Sequence, residues 1–373
     1  MWSWLTPSAG NDSERARYNG PRMSPLARML WILALGAGCT PAHTPDSAKP
    51  VAVATPVAEP DPEPPRPRID PTALDALRAR AQRERSAALL LWVDGELVLD
   101  ESFGYDPDTP LVAMSVTKSI VALRVGQMVE DGHVDLDAPL SEALVPEWQD
   151  TANAGITLRH LLSHTSGLSV ERYANDGEGF RTKTIEGHIP AMSLVAEPGT
   201  QFAYNNAAVD LLAVVLRRAD PQRRPLDDQM EASLFEPMGV VGATWMEDAA
   251  GDPRAAGELV IRPRDLVAIG QLVLERGHYD GRSLVPESWI DAMLQPGPYP
   301  GCGLLWWLDR REGEDAVASY VADGYLGQYI VVVPEARAVA VRMRDGNTTS
   351  WDPEEFSYRE FRSDVLALFD PKD

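Results

Sequence analysis

The chain has 373 residues, of which 44% are hydrophobic, and it carries a formal net charge of −22. The apolar fraction is enough for a sizeable core, and the length allows one α/β architecture with an inserted subdomain. Nucleic acids and anionic membrane surfaces attract proteins through a positive field, so the charge argues against both as main partners.

Residues 1–39 are predicted to be a signal region. Met23 precedes a basic residue, a short apolar run and Cys39. That order is typical of a secretory signal, and the run is shorter than the ~20 residues that a spanning helix needs. Cys39 stands where a bacterial lipoprotein would be acylated, and an ordinary secretory signal is the alternative. We expect translation to start at Met23 and the protein to be exported, as a periplasmic protein or a lipoprotein anchored to the membrane.

Residues 40–70 are rich in proline, alanine and acidic residues. Such a segment cannot bury a core, so we expect an extended linker before a domain over residues 71–373. Cys302 is the only cysteine besides Cys39. If Cys39 carries a lipid, no internal disulfide can form.

The first part of the predicted domain combines two helices with a hairpin. Asp70-Pro71 is a typical helix start. Asp94-Gly95 joins two apolar runs and is the dipeptide most typical of a two-residue hairpin turn. The predicted elements are a helix at 73–84, strands at 87–93 and 97–103, and a helix at 115–130.

Helical pieces follow, and strands return near the C-terminus. The helices are predicted at 158–163, 207–217, 265–275, 286–294 and 354–369, and the strands at 303–308, 317–322, 329–333 and 338–342. Strands at both ends of a helical middle predict one sheet that distant segments complete. The fold class is therefore α/β (α+β), an antiparallel sheet flanked by helices, with residues 115–254 as a mostly helical inserted subdomain.

The chain contains only four lysines, and Lys118 alone lies in a long apolar segment, three residues after Ser115. Residues at this spacing share one face of a helix, so the amine can reach the hydroxyl. A lysine can lose its proton when it is desolvated, whereas an arginine cannot. Ser115 and Lys118 are therefore a candidate nucleophile and base, although an N-cap serine beside a solvated lysine would have the same spacing.

A tyrosine is the third candidate. Tyr204 and Asn206 form a Y-x-N triplet just before the helix predicted at 207–217. A phenol beside a lysine can act as base toward a serine and later as acid toward a leaving group. Tyr173 begins a second such triplet, but no predicted helix follows it, so Tyr204 is preferred.

Together these motifs resemble the serine β-lactamase and penicillin-binding-protein superfamily, in its class C and esterase-like branch and close to the 6-aminohexanoate-dimer hydrolases. The resemblance spans about residues 72–370. Further matching segments are LRHLLSHTSGL at 158–168, PGT at 198–200, RDL at 264–266, GLLWW at 303–307 and GYLGQ at 324–328.

The resemblance implies a role for each matching residue. Ser115 would form an acyl-enzyme, with Lys118 and Tyr204 sharing the proton transfers. Asn206 would orient the lysine or the substrate. The oxyanion hole would use two backbone N–H groups, that of Ser115 and one from the third motif. Gly324 and Tyr325 are the residues of that motif at the oxyanion site, and the N–H is expected from Tyr325.

The third motif departs from the family pattern. Relatives have Lys or His, then a small residue, then Gly, whereas this chain has Ala322-Asp323-Gly324. The missing cation normally helps to bind a substrate carboxylate, and an aspartate would repel one. Hydrolysis of small esters or amides is therefore ranked above β-lactamase or D-alanyl-D-alanine carboxypeptidase activity. A third hypothesis is a non-catalytic protein that binds a cell-wall fragment, for which a broken triad would be expected.

No cofactor or metal is predicted. His160 and His164 have zinc-compatible spacing, but the glutamate of an H-E-x-x-H site and a third ligand are missing. The chain also lacks a G-K-[ST] loop, a complete G-x-G-x-x-G motif and a G-x-S-x-G elbow. The expected partner is a small ester or amide substrate, and the sequence indicates no oligomeric state.

Overall fold

The computed structural model describes residues 66–169, 177–310, 316–345 and 357–369. The signal region with Met23 and Cys39, the linker up to residue 65 and the alternative Tyr173 lie outside these residues. Among the described residues, no helix is both long enough and apolar enough to cross a membrane.

The described residues form ten strands. They are β1 (Ala88–Val93), β2 (Glu96–Ser102), β3 (Leu111–Val112), β4 (Val260–Ile261), β5 (His278–Tyr279), β6 (Arg282–Ser283), β7 (Trp307–Arg310), β8 (Val317–Gly324), β9 (Gln328–Val333) and β10 (Ala338–Met343).

Eleven α-helices accompany these strands in the described part of the chain. They are α1 (Pro71–Arg83), α2 (Val116–Glu130), α3 (Leu158–Leu162), α4 (Gly177–Thr182), α5 (Ile185–His188), α6 (Asn206–Ala219), α7 (Leu226–Met230), α8 (Glu236–Met238), α9 (Pro263–Leu274), α10 (Glu287–Met293) and α11 (Tyr358–Ala367).

The main sheet has the order β2-β1-β10-β9-β8-β7, and every neighbouring pair is antiparallel. The N-terminal hairpin joins the C-terminal strands through β1 and β10, as the prediction of one sheet completed by distant segments requires. The predicted turn is also present: Asp94 and Gly95 have φ values of +45° and +93°, the left-handed backbone that a tight hairpin needs. The predicted fold class is confirmed.

Helices cover both faces of the sheet. On β1, Leu90 points into the larger core, which also contains α2 and α9. Leu89 and Leu91 point the other way and pack with Leu77 of α1 and Phe361 of α11. The alternation follows from the two-residue period of a strand. Every residue of β9 and β10 is buried, because these central strands have helices on both sides.

One strand differs from its prediction. The strand expected at 303–308 begins only at Trp307. The N–H groups of Leu304 and Leu305 donate to the carbonyls of Met293 and Leu162. Leu305 also has φ +62°, so this apolar run joins the ends of α10 and α3 to the sheet instead of extending β7.

In the described part of the chain, helices α2 to α8 and no strand lie between β3 and β4. The first of them, α2, is the most deeply buried in its surroundings. Residues 116–128 of α2 are all buried. A helix buried on every side is held by its surroundings along its full length, which makes its first turn a rigid place for a reactive group.

Candidate active site

Ser115 lies at the junction of β3 and α2. The N–H of Ala113 donates to the Leu259 carbonyl at 2.7 Å, which fixes the chain before the junction. Met114 has φ +48°, a conformation that non-glycine residues seldom adopt and that concentrates at functional sites. Ser115 is the N-cap residue of α2, yet its hydroxyl makes no capping hydrogen bond. The simple capping role left open by the sequence is therefore not what the structure contains.

The Ser115 hydroxyl contacts the two other predicted catalytic residues. Lys118 Nζ lies 2.9 Å from Ser115 Oγ. The Tyr204 hydroxyl lies 2.8 Å from the same atom, although the two residues are 89 positions apart. The backbone N–H of Ser115 donates to no group among the described residues. The nucleophile candidate thus has two proton-transfer partners and one amide free for an oxyanion.

Lys118 is buried and held from a second side. Its amine also donates to the Ala256 carbonyl through a short contact. Only 3% of the residue is exposed, and burial lowers the pKa of its amine to about 7. Asp210, Asp323 and Glu258 raise the pKa of this amine and Arg254 lowers it, but desolvation outweighs them. Near neutral pH a substantial part of Lys118 is the free amine that a general base requires.

Asp210 holds the same Ala256 residue from the other side. Its Oδ1 accepts from the Ala256 N–H at 2.8 Å. Its Oδ2 is buried without a hydrogen bond, 3.9 Å from the guanidinium of Arg254. The carboxyl group is fully buried, and desolvation raises its pKa to about 6. Asp210 therefore fixes the carbonyl that receives Lys118 and supplies a negative charge near its amine.

Tyr204 lies beside Ser115 just before α6. Although 40% of its surface is exposed, desolvation in the pocket raises the pKa of the phenol to about 12. Its ring lies 4.9 Å from Lys118 Nζ, measured to the ring centroid. A raised pKa opposes the phenolate form that the sequence left open. The electrostatics favour Lys118 as the base and Tyr204 as a proton donor.

His164 supports the tyrosine ring. The two rings are 4.5 Å apart, and the Asn205 N–H donates to His164 Nδ1 at 3.4 Å. Burial and the neighbouring Lys118 lower the pKa of the imidazole to about 3, so it is neutral. His160 has a different role, accepting from the Thr157 N–H at the start of α3. Among the described residues no group of three His, Cys, Asp or Glu side chains could hold a metal.

The third motif forms the far wall of the site. Gly324 ends β8, and a Cβ at this position would lie 2.6 Å from the Ala113 carbonyl. The strand end therefore sits directly against the segment that leads to Ser115. Tyr325 follows in the turn and is 55% exposed. This position suits the predicted oxyanion role, which stays a prediction.

A small pocket opens onto Ser115. Asp323 and Trp307 line it together with the three candidate catalytic residues. Trp306 points away into the core and donates to the Ser119 carbonyl. The two adjacent tryptophans thus have different places, Trp306 in the core and Trp307 in the pocket wall. Cys302 also lines the pocket, but it is buried and burial raises the pKa of its thiol to about 12.

Asn206 is the first residue of α6, and Asn205 caps that helix. The contacts of the Lys118 amine within the described residues are with Ser115 Oγ and the Ala256 carbonyl. Both roles predicted for Asn206, orienting the lysine or orienting the substrate, stay predictions.

Sequence reasoning missed Asp210. A signal was present, since this acid interrupts the apolar stretch AAVDLLAVVL of α6. The same argument that selected Lys118, a charge in an apolar segment, applies to it. The Ala256 carbonyl carries no such signal, because any residue could supply it.

Comparison with known proteins agrees with this fold. The family model described as Beta-lactamase matches residues 72–361. The 6-aminohexanoate-dimer hydrolase of Paenarthrobacter ureafaciens is 25% identical over 329 residues, covering 79% of this chain and 80% of that protein. Esterase EstB of Burkholderia gladioli is 28% identical over 279 residues, covering 63% and 69%. The octameric penicillin-binding protein homologue from Pyrococcus abyssi has a TM-score of 0.64 at 21% identity, covering 80% and 76% of the two chains, which supports the fold.

Proposed function

The chain belongs to the Beta-lactamase family and is a serine hydrolase of that family, and we propose that it cleaves small esters or amides through an acyl-enzyme on Ser115. The observation that carries the proposal is the contact of one serine hydroxyl with both a buried amine and a phenol. The names of two relatives, an esterase and a 6-aminohexanoate-dimer hydrolase, support the substrate class.

Acylation begins with proton transfer to the lysine. As Ser115 Oγ attacks the substrate carbonyl carbon, its proton moves to the neutral amine of Lys118. The low pKa of that amine makes the transfer effective near neutral pH. The Ala256 carbonyl accepts a hydrogen bond from the same amine, which orients its lone pair toward Ser115.

The negative charge of the tetrahedral intermediate falls on the former carbonyl oxygen. The free N–H of Ser115 is one donor for this oxyanion, and the Tyr325 N–H is the expected second donor. Preorganised donors of this kind usually give the largest single contribution to acyl transfer.

Collapse of the intermediate breaks the bond to the leaving group. The phenol of Tyr204 donates its proton to the departing alcohol or amine, and the proton held by Lys118 replaces it. Water then adds to the acyl-enzyme by the reverse sequence of transfers, which releases the acid and restores the Ser115 hydroxyl.

The proposal is tested with three reagents on the purified protein. A p-nitrophenyl ester should be hydrolysed, and a fluorophosphonate should add to Ser115, as seen in an intact mass spectrum. A chromogenic cephalosporin should be turned over slowly or not at all. Ser115→Ala is the matched control and should lose both hydrolysis and labelling. The absence of labelling at Ser115 in the wild-type protein would contradict the proposal.

Lys118→Arg tests the base directly. The substitution keeps the positive charge but removes a group that can lose its proton. We expect kcat/KM for the ester to fall at least about 100-fold, within the range of general-base contributions. A loss of only a few-fold would remove Lys118 from this role.

A further inference from the structure

Asp323 stands in the pocket of Ser115 without a partner. Its side chain is partly buried on β8 and lines the pocket beside Ser115, Lys118 and Trp307. No side chain or backbone group among the described residues makes a hydrogen bond or ion pair with its carboxylate. A carboxylate withdrawn from water without a partner is unfavourable, so this position is costly unless something else binds there.

The charged groups around Asp323 do not neutralise it. Asp309 on β7 repels it, and Lys118 attracts it from within the catalytic set. Near neutral pH Lys118 carries only part of a positive charge, because the pKa of its amine is about 7. The guanidinium of Arg362 lies nearest to Asp309, at 3.7 Å. Among the described residues that line the pocket, none therefore offers Asp323 a full positive charge.

Aromatic rings line the same pocket, at Trp307 and Tyr204, and continue beyond it from Trp307. Phe202 lies 6.1 Å from Trp307 and 4.6 Å from Tyr299 between ring centroids. Tyr299 is 43% exposed and Tyr325 is 55% exposed. Ring faces attract cations, above all when these leave water. A carboxylate beside exposed aromatic rings is the usual composition of a site for an organic ammonium group.

We propose that Asp323 binds a cationic ammonium group of the substrate, so that the natural substrates are esters or amides carrying a positive charge near the scissile carbonyl. The inference rests on the proposed hydrolase function and assigns the substrate class of the same site. The ammonium lies at the mouth of the small pocket that Asp323 and Trp307 line. Substrates with a carboxylate at that position are repelled.

Two isosteric pairs of esters test the proposal and locate the charge. Butyrylcholine and 3,3-dimethylbutyl butyrate differ only in a charged nitrogen or a neutral carbon in the alcohol part. The p-nitrophenyl esters of 4-(trimethylammonio)butanoic and 5,5-dimethylhexanoic acid carry the same difference in the acyl part. For each pair the ratio of kcat/KM, cationic over neutral, is measured in wild type and variants, so that intrinsic reactivity cancels between proteins.

Asp323→Asn should lower this ratio about tenfold or more on at least one pair, as expected for losing a hydrogen-bonded or paired charge. Because Asp323 also raises the pKa of Lys118, the rates are compared at pH 9, where the amine is neutral in both proteins, and the neutral ester reports any change in basal activity separately. Asp323→Glu keeps the charge and should retain part of the preference. Asp309→Asn removes a carboxylate of the same charge from the neighbouring strand β7, outside the pocket lining. This variant should keep most of the preference for the cationic ester.

Two results would overturn the inference. One is an unchanged ratio on both pairs in Asp323→Asn. The other is an equal fall of the ratio in Asp309→Asn, which would indicate a general field. Choline should also inhibit wild-type hydrolysis of the neutral ester better than 3,3-dimethylbutanol, a comparison that needs no variant. Hydrolysis of neutral esters with Ser115 labelling but no cation preference refutes only this inference. A wild-type protein that cleaves no ester and resists labelling refutes the proposed function as well.

Discussion

At the residue scale, the site depends on two buried ionisable groups that face one backbone residue. Lys118 donates to the Ala256 carbonyl and Asp210 accepts from the Ala256 N–H. Both groups are almost completely buried, and beside the desolvation that shifts both pKa values, the charge of each stabilises the charged form of the other. Asp210 is thus a positioning residue, because it acts on the reaction through Lys118 without touching the substrate.

Asp210→Asn should move the pH profile to lower pH. The carboxylate raises the pKa of Lys118, and the guanidinium of Arg254, which faces both groups, lowers it. Without the carboxylate the amine loses its proton more easily, so the rising limb of kcat/KM, with a midpoint near pH 7 in the wild type, should shift down by roughly one pH unit. Ester hydrolysis followed from pH 5 to 9 measures the shift.

An acid elsewhere on the surface provides the control. Asp150 is exposed and is not among the groups that act on Lys118, so Asp150→Asn should keep the wild-type midpoint. An Asp210→Asn profile that falls in height without moving would show that the residue is only structural. Asp248 lies in the same buried region and raises the pKa of Asp210 by repulsion. Its replacement by a neutral residue should therefore leave the Asp210 carboxylate more fully ionised.

At the element scale, the site requires the end of β8 to touch the segment between β3 and α2. Gly324 allows this contact, since a Cβ there would be 2.6 Å from the Ala113 carbonyl and 2.9 Å from Gln328 Cβ. The Ala113 backbone is held by its hydrogen bond to Leu259, and Gln328 belongs to the paired strand β9. The separation between Ser115 and Tyr325 is therefore set by the absence of a side chain at one position.

Gly324→Ala should force these two segments apart. We expect kcat/KM to fall at least tenfold and the melting temperature to drop by several degrees, as for other substitutions that overpack a buried site. Rates of fluorophosphonate labelling and thermal unfolding measure the two effects. A Cβ added at Gly155 would meet open space, and the backbone there is not left-handed, so Gly155→Ala should change neither quantity. Normal labelling of Gly324→Ala would mean that the contact is not required.

Elements defined by local patterns could be predicted from the sequence. The hairpin at Asp94-Gly95 and the strands β9 and β10 follow from turn chemistry and apolar runs. The preference for Tyr204 over Tyr173 rested on the helix after it, and the structure brings Tyr204 to Ser115. The catalytic roles themselves stay predictions.

Contacts made by irregular backbone could not be predicted. The Ala256 carbonyl reaches Lys118 across 138 positions from a loop without a motif. The start of β7 shifted to Trp307 because Leu305 takes a left-handed conformation that an apolar run does not signal. Such positions are decided by tertiary hydrogen bonds, which outweigh local propensity.

At the scale of the whole molecule, placing a lysine inside the core costs stability. The pKa of Lys118 is about 7 in the folded protein against an ordinary value of 10.5. Below pH 7 the lysine is charged in both states and the cost of burying that charge is fully present. Between pH 7 and about 10.5 the unfolded chain holds a proton on this lysine that the folded chain lacks. The free energy of unfolding therefore rises with pH in this range, until the cost of burying the lysine has disappeared.

Lys118→Met should therefore stabilise the inactive protein in a pH-dependent way. Relative to wild type, we expect the free energy of unfolding in urea to rise by about 2 kcal/mol or more at pH 6, with the gain shrinking toward zero near pH 10. Lys183 is exposed, so Lys183→Met should change stability by less than about 0.5 kcal/mol at both pH values. A gain in stability for Lys118→Met that is equal at both pH values would come from packing alone. It would mean that the pKa of Lys118 is not lowered in the folded protein.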